Sequence, residues 1–145
     1  MSLDSAVAQF PSGATGATRD PQVTRVLVID DSNTIRRSAE IFLKQGGCEV
    51  VLAEDGFDAL AKVSDHRPDL IFCDILMPRL DGYQTCAIIK RNAEFASVPV
   101  IMLSSKDGLF DKARGRMVGS QDYLTKPFTK DQLLQAVALH RRAPA

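Results

Sequence analysis

Five short apolar runs recur along the chain, and each is followed by a stretch with the periodicity of an amphipathic helix. They are RVLVI ending in Asp30, EVVLA from Glu49, LIFC ending in Asp74, VPVIML from Val98, and DYLT from Asp122. Between the first two, Ile35, Ala39, Phe42 and Leu43 make one helical stripe behind Ser32 as cap, and Gly46 stops it. Asp55-Gly56 turns the chain into a second helix, predicted to bury Phe57, Leu60 and Ala61. A third runs from about Tyr83 to Lys90, and a glycine-punctuated fourth spans Leu109 to Met117. A fifth opens on Thr129-Lys-Asp-Gln132, a capping box, with Leu133, Leu134 and Val137 toward the core. Strict alternation of this kind implies an α/β fold: a parallel sheet of five strands with helices on both faces. The near-continuous apolar strands agree, since such strands are buried on both sides.

The pattern occupies the chain from residue 23 to 142, which we take as one domain. Residues 1–22, rich in Ser, Gly, Ala, Thr and Pro, carry neither a period nor a basic start with an apolar centre. They are predicted to be a flexible tail rather than a signal peptide. No apolar stretch reaches membrane-spanning length, and Lys plus Arg balance Asp plus Glu at 18 each, so charge favours neither a membrane nor nucleic acid. No helix-turn-helix, and so no intrinsic DNA binding, is expected after Lys126. Cys48, Cys73 and Cys86 have no metal-type pairing, and Cys73 sits inside an apolar run; small core residues in the cytoplasm are the expectation.

In an open parallel sheet, ligands bind beyond the carboxyl ends of the strands. Those ends carry Asp30-Asp31, Asp74, Ser104-Ser105 and Lys126-Pro127. Any one of these alone would be a helix cap, a turn residue or a solvated charge. Independent caps have no reason to fall at successive strand ends with a lysine opposite, so the group is read as functional. Three carboxylates repel one another unless a cation joins them, and hard oxygen ligands at a partly open site suit Mg2+. The charges of three carboxylates, one magnesium and Lys126 sum to zero. Turning Asp74 into an acyl phosphate would replace its −1 by about −2, a surplus that Ser104, Lys126 and backbone amides could meet.

The segments VLVIDDS, IFCDILMPRLDGYQ, PVIMLSS and YLTKPF, within residues 24–140, resemble the receiver domain of two-component response regulators. DGFDALAKV, MPRLDGYQTCAIIK and VIMLSSKDGLFDKARGR are similar, more narrowly, to single-domain regulators of type IV pilus twitching motility. The resemblance implies a flavodoxin-like receiver fold with strand order 2-1-3-4-5. It makes Asp74 the acceptor of a phosphoryl group from a histidine kinase. Asp31 and Asp74 would bind Mg2+ directly, Asp30 mostly through water, and Leu76 through its backbone carbonyl. Ser104 and Lys126 would hold the phosphoryl group, Tyr123 would be the aromatic switch, and the Lys126-Pro127 peptide would be cis. Output would be phosphorylation-dependent contact with a downstream protein, on a basic face carrying Lys106, Lys112, Arg114, Arg116 and Lys130. Ser104 stands where Thr is commoner in the family, and Leu76 and Lys106 occupy positions that in that family tune dephosphorylation. The chain would be no enzyme beyond its own Mg-dependent phosphorylation and dephosphorylation. A haloacid-dehalogenase phosphatase fits poorly, because its Asp-x-Asp belongs at the first strand and it needs a cap domain. A flavodoxin-like cofactor binder fits no better, because the acidic DDSNT replaces a phosphate-cradling loop. A receiver that binds partners without phosphorylation is the third alternative.

Overall fold

The computed structural model describes residues 22–105 and 110–141. In chain order the elements are β1 (Arg25–Ile29), α1 (Asn33–Gln45), β2 (Glu49–Ala53), α2 (Gly56–His66) and β3 (Leu70–Asp74). Then follow α3 (Gly82–Arg91), β4 (Val100–Ser105), α4 (Lys112–Val118), β5 (Asp122–Lys126) and α5 (Lys130–His140). The strands form one parallel sheet, as the residue pattern predicts, in the order β2-β1-β3-β4-β5 that the resemblance implies. The order reverses at β1, so a crevice opens between the ends of β1 and β3.

Side chains alternate across a strand, and here the alternation builds two cores. Leu27, Ile29, Ile71, Cys73, Val100 and Met102 face α2, α3 and α4. Val26, Val28, Leu70, Phe72, Ile101 and Leu103 face α1 and α5. Each large side chain taken fully out of water contributes about 1.5–3 kcal/mol, and β3, buried along its whole length, is the centre of both layers. Cys73 and Cys86 are buried and Cys48 partly so, all three as free thiols. Among the described residues no helix is long and apolar enough to cross a membrane.

Two expectations about helices need correction. In α2 the buried residues are Gly56, Ala59 and Val63, whereas Phe57 and Ala61 are exposed. The helix starts on the Asp55 cap, which turns Phe57 outward, and the Arg79 guanidinium covers its ring at 5.1 Å. The fourth helix begins at Lys112, because the Asp111 side chain caps it by accepting from the Arg114 N–H. Leu109, expected in that helix, lies outside the described residues, as do Lys106, residues 1–21 of the expected tail, and Arg142.

Candidate functional site

The strand period that sends Val26 and Val28 to one face continues to Asp30, and that of Leu70 and Phe72 continues to Asp74. Lys126 follows Leu124 on the same face of β5. The three therefore meet over the crevice. Lys126 Nζ donates to Asp30 Oδ2 at 3.1 Å and to Asp74 Oδ1 at 3.0 Å. Asp30 is fully buried and Asp74 is 3% exposed, while Asp31 stands exposed at the mouth. One carboxylate oxygen from each of the three lies within 4.8 Å of the others.

Backbone amides hold the pocket in place. The Ser32 N–H donates to Asp30 Oδ1 at 2.9 Å, and the Leu76 N–H donates to Asp74 Oδ1 at 3.3 Å. Burial, then the charge of Asp30, drives the Asp74 carboxyl up to about 7, against which Lys126 pulls it down. Burial alone would lower Lys126. Its hydrogen bonds to Asp74 and Asp30 and their charges outweigh that, so it sits above its ordinary value. One ammonium cannot neutralise a pocket with three carboxylates, and the group remains short of positive charge. Hard oxygen donors, two buried and one exposed, are a donor set that a small divalent cation fits.

The loop after β3 is anchored at both ends. Asp81 and Gln84 form a capping box at the start of α3. The Gly82 N–H donates to the Ile75 carbonyl at 2.8 Å, bringing the helix start against the residue after Asp74. Arg79, at φ 69°, reaches back to Asp55 Oδ2 at 3.0 Å. Leu76 lies in this loop and is 68% exposed. The Lys126-Pro127 peptide is cis.

Ser104 is buried at the end of β4, and its hydroxyl donates to the Ser105 carbonyl at 3.3 Å. Tyr123 pairs in register with Met102, on the face of β4 that Ser104 shares, and its ring is exposed. Of the expected basic face, Lys112 and Arg116 line a groove with Phe110, Ser120, Gln121, Asp122 and Tyr123, of about 300 Å³. Arg114 does not join them: it lies over the Tyr83 ring and reaches Asp81 Oδ2 at 3.7 Å, on the α3 side.

Sequence reasoning missed the part played by Gly82, Tyr83 and Phe110. Gly82 had a local signal, a glycine just inside a helix that opens with a capping box. By propensity alone, the glycines that punctuate this segment read as weak points in a helix. Gly115 is instead buried where a Cβ would stand 2.6 Å from Phe110 Cζ, and Gly119 lies beyond the helix as its left-handed cap.

A family model for the response regulator receiver domain matches residues 26–138, a span that contains the whole acidic pocket. Protein PilG of Pseudomonas aeruginosa is 68% identical over 116 residues, covering 80% of this chain and 86% of that protein. Protein PilH of the same organism is 36% identical over 115 residues, covering 79% and 95%. Among solved structures, the chemotaxis protein CheY4 of Vibrio cholerae superposes with a TM-score of 0.77 at 32% identity, covering 81% of this chain and 98% of that one. The pocket and these matches lead to one conclusion: the chain belongs to the response regulator receiver domain family.

Proposed function

We propose that Asp74 is the phosphoacceptor of a signalling cycle in which a histidine kinase is the donor and a downstream protein reads the result. The observation that carries this reading is the Lys126 ammonium shared between two buried carboxylates at the crevice of the sheet. A buried ion pair of this kind is weak evidence of a stabilising role, since well-packed apolar residues of similar volume often serve as well. A carboxylate oxygen of Asp74 forms the new O–P bond as the N–P bond of the donor phosphohistidine breaks. Lys126 and the Ser104 hydroxyl then hold the added phosphoryl oxygens. Mg2+ would be held by Asp31 and Asp74 directly, by Asp30 through water, and by the Leu76 carbonyl. When bound it supplies the charge neutralisation that lets an anionic donor approach.

The similarity to PilG supports a place in a chemosensory pathway controlling type IV pilus twitching motility. In this reading the chain is cytoplasmic, residues 23–142 are the receiver and residues 1–22 a tail. The effector docks on the face of α4, β5 and α5, where Lys112, Arg116 and Lys130 favour an acidic partner. His140 Nε2 lies 2.8 Å from Asp122 Oδ2 and ties α5 to β5, so the face can respond as a unit.

Asp31 is the exposed ligand of this set, and changing it leaves both Lys126 bonds to the buried pair in place. Asp31→Asn is expected to weaken magnesium binding by at least about tenfold, and to slow labelling by acetyl phosphate in proportion. Calorimetric titration of the metal checks this. Wild-type magnesium affinity in Asp31→Asn would contradict the assignment.

A further inference from the structure

Tyr83 does more than fill the core. Its ring is 5% exposed, and its Oη accepts from the backbone N–H of Asp111 at 3.0 Å, the residue that caps α4. Phe110 stacks beside it with centroids 6.2 Å apart and planes 21° from parallel. Phe110 in turn stacks on Tyr123 at 4.5 Å and 19°. Charges bracket the row: the Arg114 guanidinium is 4.4 Å from the Tyr83 centroid, and the Lys112 ammonium is 5.9 Å from that of Tyr123. The row starts next to Gly82, which is bonded to the residue following Asp74. It ends on β5. Gly115 leaves the space that the Phe110 ring fills.

We propose that Tyr83 and Phe110 are positioning residues that hold Tyr123 exposed, and the start of α4 tethered, while Asp74 is unmodified. They thereby set how strongly Tyr123 responds to a group on Asp74. The inference rests on the phosphoacceptor reading of Asp74. The route is separate from Ser104, since it leaves Asp74 through the β3–α3 loop rather than across β4. A ligand on Asp74 must break or rearrange the ring stack to move Tyr123, so the stack biases a two-state element toward its resting state. Loosening it raises the fraction of chains already competent, and with it the apparent affinity for the ligand.

The chain has two tyrosines and no tryptophan, so in Tyr83→Phe the emission reports on Tyr123 alone. Phe110→Leu keeps an apolar side chain against Gly115 but removes the stack. Each variant is titrated with beryllofluoride in magnesium, following tyrosine emission and the amide shifts of Tyr123 and Thr125. Both variants are expected to bind about two- to tenfold more tightly than wild type, the worth of one hydrogen bond in Tyr83→Phe and of one aromatic pair in Phe110→Leu. Their ligand-free Tyr123 amides are expected part-way along the line to the bound position, with magnesium affinity unchanged. A wild type that does not respond to beryllofluoride overturns the phosphoacceptor reading and this inference with it. A wild type that responds, beside variants that titrate equally or more weakly or that lose magnesium affinity, overturns this inference alone.

Discussion

Gly82→Ala is expected to destabilise the chain by about 3 kcal/mol or more. A Cβ at that position would run into the Asp74 carbonyl oxygen and stand 2.8 Å from the Ile75 Cα. Both are backbone atoms, and no rotamer change relieves them. Helix propensity works the other way, since alanine is better than glycine inside a helix by about 1 kcal/mol. The collision outweighs it, because moving α3 away also breaks the 2.8 Å bond from the Gly82 N–H to Ile75 and uncovers the end of β3. In urea the midpoint should fall with the slope unchanged. Stability within about 1 kcal/mol of wild type would mean that α3 and β3 can separate freely, and that the close approach does not position Asp74.

Lys126→Met is expected to cost about 3–5 kcal/mol in magnesium-free buffer near pH 8, because it leaves Asp30 and Asp74 buried without a counter-charge. The direction with pH follows from Asp74. Its native carboxyl, near 7, holds a proton more tightly than the unfolded chain does, so its contribution is most favourable below about pH 4. That contribution is lost as pH rises toward 7. Without Lys126 the loss extends to higher pH, since the pull that lowers the Asp74 value is gone. The variant should therefore recover most of its stability at pH 5, and part of it at pH 8 when magnesium is added. Thermal melts at the two pH values, with and without the metal, check this. A deficit independent of both pH and magnesium would assign Lys126 a packing role and remove the electrostatic account of the pocket.

Much of this architecture could be read from residue patterns, for a physical reason. A parallel strand has a period of two and an apolar surface on both sides, so Leu70 to Cys73 announce β3 and its layers without help from elsewhere. The same period puts Asp30 and Asp74 on one face, and the sheet order puts them side by side. What escaped depends on contacts between residues distant in sequence. Phe57 reads as core by composition, yet its ring is covered by Arg79 from another loop. Gly115 reads as a weak point by propensity, yet it is the socket for Phe110. The meeting of Tyr83, Phe110 and Tyr123 has no local signature at all, because three separate segments supply it. Arg114 likewise carries a charge that the sequence places on the output face and that the geometry spends on Tyr83 and Asp81.

One carboxylate, Asp74, is expected to receive the phosphoryl group. Wild-type chain and Asp74→Asn are incubated with acetyl phosphate and magnesium, reduced with borohydride, digested and sequenced by mass spectrometry. Reduction converts an acyl phosphate on aspartate to homoserine, which marks the acceptor by its mass. The expected result is homoserine at position 74 of the wild type, with no marked residue in Asp74→Asn and none in wild type from which magnesium has been removed. Homoserine at Asp30 or Asp31, or undiminished labelling of Asp74→Asn, would contradict the account.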